Sequence, residues 1–266
     1  MTLRKLSLLA LSSVLVLGLL LSVVPASAKD GKKKEMKEKL AALPMEYQIW
    51  VESVQILIND EELEAFLELD KDYQRDAFIE RFWRSRDPYP QTPRNELKER
   101  WMARVNEAKS LFGNLNEDRS IILLLNGIPD ARIIIDCIEL WPAEVWYFQK
   151  AENLGSEMAL IFYQTGGLGS FRIFYPGAGL GGLVRFPGSD PWASIQQCRQ
   201  SHIDALRAAM SLMNKVGSMG FMTMVGEMME TPEAPAGEWV SAFNAYSTDM
   251  PDDAETFPVE VSVEYP

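Results

Sequence analysis

The chain has 266 residues, with 26 Lys and Arg against 38 Asp and Glu, one His and two Cys. A net charge of −12 excludes a dedicated nucleic-acid binder, which carries a basic footprint. Two cysteines exclude a disulfide-rich scaffold and a four-cysteine zinc site, and a single histidine excludes a His-rich metal centre.

The N-terminus reads as a targeting segment. Arg4 and Lys5 precede the apolar run Leu6–Val24, and Ala26-Ser27-Ala28 is a small-residue cleavage site. Cleavage after Ala28 is expected, with an uncleaved anchor as the rival. Processing removes two basic and no acidic residues, leaving 24 basic and 38 acidic, a net charge of −14. Export places Cys137 and Cys198 in an oxidising compartment, where they either pair or stay as two small buried thiols.

Lys29–Lys39 is a lysine-rich leader, solvated or a frayed helix. Val54–Ile58 is a short apolar run suited to a strand. Asp60 is placed to cap a helix through Leu69, and Asp72 another through about Arg86. Asp87-Pro88 and Tyr89-Pro90 stop that helix, because proline disfavours helix in the residue before it. Thr92-Pro93 restarts one, with Thr92 as N-cap and Leu97, Trp101, Val105, Ala108 and Phe112 as its buried stripe.

The pattern then shortens. Ile121–Leu125, Ala131–Asp136, Val145–Gln149, Met158–Gln164 and Phe171–Tyr175 are β-branched or aromatic runs separated by turn residues. Closely spaced strands suggest an antiparallel meander. Asp190-Pro191 opens a helix to about Val216, with Trp192, Ile195, Cys198, His202, Leu206, Ala209, Met213 and Val216 on one stripe. Residues Thr231–Glu255 read as loop. Phe257–Tyr265 alternates strictly, as a strand that needs a partner on one face. The predicted fold is therefore α+β: N-terminal helices packed on an antiparallel meander, then a C-terminal helix and an acidic tail ending in a strand.

The stretches Phe78-Ile79-Glu80-Arg81-Phe82-Trp83, Arg86-Asp87-Pro88 and Thr92-Pro93-Arg94-Asn95-Glu96 resemble the signature of the GWxTD domain family. So do Leu124-Leu125-Asn126-Gly127-Ile128-Pro129-Asp130, Val145-Trp146-Tyr147-Phe148 and Leu160-Ile161-Phe162-Tyr163. The naming motif is degenerate: where it belongs the chain reads Gly113-Asn114-Leu115-Asn116-Glu117-Asp118-Arg119, without its tryptophan and threonine. The resemblance implies a divergent member of a group of exported bacterial proteins, and no catalytic residue to carry over. With the resemblance covering 46–176, the chain divides into a signal peptide (1–28), a charged leader (29–45), a GWxTD-like domain (46–176), a Gly-rich loop (177–190), a helical Met-rich segment (191–230), and an acidic linker with a terminal strand (231–266).

Candidate chemistry is sparse. Gly177-Ala178-Gly179-Leu180-Gly181-Gly182 fits G-x-G-x-x-G, but Pro187 leaves too little room for the helix a dinucleotide site needs, so a flexible loop is expected. Cys198 and His202, with Cys137, have zinc-ligand chemistry, yet they lie on an apolar stripe and read as core. Met210, Met213, Met219, Met222, Met224, Met228 and Met229 suit packing, a partner or membrane face at 210–229, or Cu(I). Arg81, Arg84, Arg86, Asp87, Glu96, Arg100 and Arg104 crowd one corner, where an ion-pair network locking the Arg86–Glu96 corner, or an anion grip, is expected.

The candidate structural or recognition positions are thus Arg86, Asp87, Pro88, Thr92, Asn95, Glu96, Gly127, Pro129, Asp130 and Trp146. No cofactor, nucleic acid or resident metal is expected. The reading is an exported, non-enzymatic interaction module of the bacterial cell envelope with an unidentified protein partner. An envelope copper binder and a hydrolase using carboxylates are the alternatives. Intact-mass analysis of exported protein should show a chain beginning at Lys29; retention of residues 1–28 contradicts cleavage.

Overall fold

Capping chemistry sets the first helical boundaries. The computed structural model describes residues 26–246, apart from 187, 189, 234 and 236. The expected signal segment, up to residue 25, and the expected strand Phe257–Tyr265 lie outside the described residues. Helix α1 (Ala26–Ala42) belongs to a unit of its own, with one-turn ion pairs from Lys34 to Glu38 (3.8 Å) and from Lys39 to Glu35 (3.1 Å).

Helix α2 (Met45–Val54) buries Tyr47, Val51 and Val54 at helical spacing, and the chain turns at Gln55–Leu57. The expected strand at Val54–Ile58 is therefore a helix end and a turn. Its apolar run follows the stripe of the preceding helix, which a short window cannot tell from a strand. Helix α3 (Asp60–Leu67) is capped by Asn59, not Asp60. Asn59 Oδ1 accepts the Glu62 N–H (2.8 Å), while a Glu62 carboxylate oxygen accepts the Asn59 N–H (3.0 Å). This reciprocal box satisfies two donors that a helix start leaves unpaired.

Helix α4 (Asp72–Arg84) follows Lys71, whose N–H the Gln74 side chain accepts at 3.1 Å, so Asp72 is the first helical residue instead of the cap. Helix α5 (Glu96–Phe112) is capped by Asn95, not Thr92: Asn95 Oδ1 accepts the Lys98 N–H at 2.8 Å. Trp101, Val105 and Ala108 form its buried stripe, and the Trp101 indole N–H donates to Ser53 O (2.8 Å), tying α5 to α2. Gly113 ends the helix at φ 72°, where a side chain would be strained.

The next apolar run is also helical. Helix α6 (Asp118–Asn126) replaces the expected strand Ile121–Leu125. Ile122, Leu123, Leu124 and Leu125 are all buried, so the element is apolar on nearly every side. A continuous buried run carries no period of its own, and β-branching favoured the wrong choice.

The expected meander then appears. Strands β1 (Ala131–Ile135), β2 (Ala143–Phe148), β3 (Met158–Tyr163) and β4 (Arg172–Ile173) form one antiparallel sheet in the order β1-β2-β3-β4. Val145 lies between Ile133 and Ile161, and Trp146 between Arg132 and Leu160. Alternation sends Glu144, Trp146 and Phe148 to one face and Val145 and Tyr147 to the other. The first face meets α5, where Phe112 stacks on Trp146 at 5.8 Å.

A single helix from Asp190 to Val216 is not formed. Asp190 caps the short helix α7 (Pro191–Ile195), the chain turns at Gln196–Cys198, and helix α8 (Gln200–Lys215) follows. The break separates the two halves of the predicted stripe. His202, Leu206, Ala209 and Met213 are buried, whereas Trp192 and Val216 are exposed. Helix α8 packs on β1, β2 and β3. Cys137, just after β1, and Cys198, just before α8, are joined in a disulfide with Cα atoms 5.4 Å apart.

Helix α9 (Gly217–Met228) runs back beside α6. Within the expected loop Thr231–Glu255 lies helix α10 (Glu238–Tyr246). Its Trp239 and Phe243 pack against Phe78 at 5.0 and 5.4 Å. A helix this short is marginal alone, and the aromatic contact supplies what its local sequence lacks. The fold is α+β, with helices on both faces of the sheet.

Replacing Cys137 and Cys198 together with serine is expected to cost about 2–4 kcal/mol of stability in denaturant melts. An unchanged midpoint contradicts a stabilising tether between β1 and α8.

Candidate functional site

Three clusters contain the residues singled out from the sequence. The first is the corner between α4 and α5. Arg86 does not pair with Glu96. Its Nη2 lies 2.7 and 2.8 Å from the two Glu62 carboxylate oxygens and donates to Leu57 O (3.0 Å), and its guanidinium covers the Phe82 ring at 3.7 Å. Glu62 is completely buried and also accepts from the Trp239 indole N–H at 3.1 Å. Burial lowers the Arg86 pKa, opposed by the bond to Glu62. The corner lock therefore joins α3, α4 and α10. It was missed because Glu62 sits 24 residues from Arg86, although the Asn59-x-x-Glu62 box marked Glu62 as a working carboxylate.

The remaining corner residues shape a groove. Asp87 Oδ1 accepts the Tyr89 N–H (2.9 Å), holding the turn at Pro88. The Thr92 hydroxyl lies 2.7 Å from Arg94 O and 3.2 Å from Glu96 Oε1, while Glu96 Oε2 is buried without a partner. Asn95, besides capping α5, donates from Nδ2 to Trp83 O at 2.6 Å, fastening the start of α5 to the end of α4. The result is a cavity of about 600 Å³ lined by Trp83, Asp87, Thr92, Asn95 and Met102, with Arg84, Arg94 and Lys98 among its cations. Arg84 pairs with Glu80 and Arg94 with Glu99. Hydrogen bonding to Arg94 holds the exposed Glu99 carboxyl below its usual range.

The second cluster lies under the sheet and is buried. Glu144 on β2 accepts from Arg119 Nη1 (2.6 Å), from Arg132 Nε and Nη2 (both 2.8 Å), and from the Trp146 indole N–H (2.8 Å). Arg119 also donates from Nε to Glu117 (2.6 Å), and its guanidinium lies 4.4 Å from the Phe112 ring centre and 3.7 Å from that of Phe171. Asp118 accepts the Ile173 N–H of β4 at 2.8 Å. The stretch Gly113–Arg119 thus supplies both Asp118 and Arg119 to the contact between α6 and the sheet. Burial would raise the Glu144 pKa, but the hydrogen bonds from Arg132 and Trp146 and the charge of Arg119 hold it below the usual carboxylate range. Trp146 was singled out from the sequence. Glu144, Arg119 and Arg132 were not, although an acid inside an otherwise apolar strand was the available signal.

The third cluster joins α6 to its neighbours. Gly127 ends α6 at φ 84°, and a Cβ there would sit 3.0 Å from Arg104 Nη2. Arg104 donates from Nη1 to Leu124 O (2.9 Å), completing the helix end. Beyond Pro129, Asp130 Oδ2 accepts the Gln149 N–H at 2.7 Å and aligns β1 with β2. Asn126 Nδ2 donates to Met228 O (2.6 Å), and Asn153 Nδ2 to Glu230 O (2.8 Å), closing the end of α9.

The metal candidates are dispersed. Cys137 and Cys198 are bonded to each other, and His202 is buried with Nδ1 unpartnered. No group of three His, Cys, Asp or Glu able to hold a metal occurs among the described residues. The methionines divide: Met210, Met213 and Met228 are in the core, whereas Met219 and Met222 are exposed. Met222 lines an apolar cavity of about 300 Å³ with Tyr175, Pro176, Gly177 and Ser218. Among the described residues no helix is long and apolar enough to cross a membrane. The Gly-rich segment forms two short 3-10 turns, Pro176–Ala178 and Leu180–Leu183, and the next helix starts only at Pro191 and is five residues long.

Glu144 has a lower pKa folded than unfolded, so its contribution to stability is complete above the unfolded value. It is lost as pH falls through the depressed value. Glu144→Gln is expected to cost about 3–5 kcal/mol at neutral pH, because it strands buried cations. It should also flatten the acid side of the stability curve. A variant whose curve runs parallel to the parent's below about pH 5 contradicts this role.

The chain matches no protein-family model, no curated protein and no solved structure.

Proposed function

We propose that the chain is an exported, non-enzymatic interaction module of the bacterial cell envelope, a divergent relative of the GWxTD domain proteins. The observation that carries this reading is the groove between α4 and α5. The stretches that carry the resemblance build it, and it is open and lined by charges of both signs over Trp83 and Met102. Cations paired with neighbouring acids around an aromatic floor fit the mixed side chains of a protein surface better than a single small anion. The Cys137–Cys198 disulfide supports export, since such bonds persist in oxidising compartments. The buried charges, Arg86 with Glu62 and Glu144 with its arginines, are engaged in joining layers.

A photo-crosslinking residue at Lys98, within the groove, tests the reading in intact bacteria, with one at Met219 on α9 as the comparison. The groove position should give a discrete crosslinked protein product that the α9 position does not. No product, or the same products from both positions, contradicts the groove as the recognition surface.

A further inference from the structure

The sheet leaves one long edge open. β4 has two residues and is held by Asp118, but β1 has five and pairs only with β2 among the described residues. Exposed edge strands are normally blunted by lysine, proline or a bulge. This one instead reads Ala131-Arg132-Ile133-Ile134-Ile135, with Ile134 60% and Ile133 36% exposed. These isoleucines point to opposite faces, so neither face of β1 is fully covered. Ile128 and Ile138, on either side of the strand, are exposed at 66% and 72%.

From this edge we infer that β1 pairs with β1 of a second copy of the chain, antiparallel and centred on Ile134, joining two four-stranded sheets into one. The argument is the self-complementarity of the strand. A two-fold axis at Ile134 sets Ile134 against Ile134 of the partner subunit and Ile133 against Ile135 of the partner subunit. It also sets Arg132 against Asp136 of the partner subunit, and by symmetry Asp136 against Arg132 of the partner subunit. Arg132 and Ile134 share one face of β1 by alternation, and Asp136, the first residue beyond it, joins that face when pairing extends the strand by one residue, so each end of the new ladder carries an opposite-charge pair and its centre an apolar one. Arg132 uses Nε and Nη2 on Glu144, which leaves Nη1 for the second carboxylate. Moving the axis by one residue places Arg132 opposite an isoleucine and loses the charge pairing. Such an isologous contact closes on itself and does not propagate into fibres.

The surface is small, so the dimer should be reversible, with a dissociation constant on the order of micromolar. Sedimentation of the purified full chain is expected to show a concentration-dependent monomer–dimer equilibrium. Ile134→Lys and Asp136→Lys should each abolish it while leaving the melting temperature within a few degrees. The register has its own readout. Under oxidation Ile134→Cys should give a disulfide-linked dimer. Ile133→Cys should not, because it faces its own copy only across a diagonal of roughly 7–8 Å.

A chain that stays monomeric throughout the concentration series overturns the inference. So does a dimer indifferent to Ile134→Lys, or crosslinking through Ile133→Cys instead of Ile134→Cys. If the full chain is monomeric but dimerises once Val261 and Val263 are replaced by aspartate, the segment Phe257–Tyr265 occupies this edge, and the inference fails in that segment's favour.

Discussion

A carboxylate placed inside an apolar sheet must be met by cations and donors or lose its charge, and Glu144 imposes that requirement here. Its partners come from three places: Arg119 from α6, Arg132 from β1, and the indole of Trp146 from its own strand. Each partner is then held in turn. Arg119 is bound to Glu117 and covered by Phe112 and Phe171, so α5 and the segment before β4 are drawn in as well. One buried negative charge thereby specifies how the helical layer sits on the sheet.

The same device recurs at Glu62, where Arg86, the Asn59 backbone and Trp239 converge on one carboxylate. Replacing buried pairs of this kind with apolar residues of similar volume is often neutral for stability, whereas stranding one member is costly. Both networks join elements far apart in the sequence, as expected where charges select one packing arrangement. The Glu62 network uses Arg86, one of the charges that the corner motif seemed to offer for ligand binding. What remains for recognition is the outer rim of that corner, where Arg84, Arg94 and Lys98 face solvent.

Strands β1, β2 and β3 were legible in the sequence because each is a β-branched or aromatic run bounded by turn residues. Helix α6 was not, since Ile122–Leu125 is buried all round and carries neither period. The caps fell one to three residues from the expected ones, and at α5 the place went to the side chain that also reaches a neighbouring helix. Asn95 does so through Trp83 O. Helix α10 was hidden by an acidic, proline-rich context, and Trp239 finds its reason in Phe78 and Glu62, well over a hundred residues away. At the candidate site the positions Asp87, Thr92, Asn95 and Trp146 were readable as a motif, but their partners were not. Arg86 and Glu62, or Arg119 and Glu144, are close only after folding.

If buried charge holds the layers together, the two ends of the Glu144 contact must depend on each other energetically. A double-mutant cycle between Arg119→Met and Glu144→Gln measures that dependence directly. Strong coupling is predicted, about 2 kcal/mol or more, with the double variant less damaged than the sum of the single ones. Additivity within about 0.5 kcal/mol would contradict the account, by showing that neither residue needs the other in the folded chain.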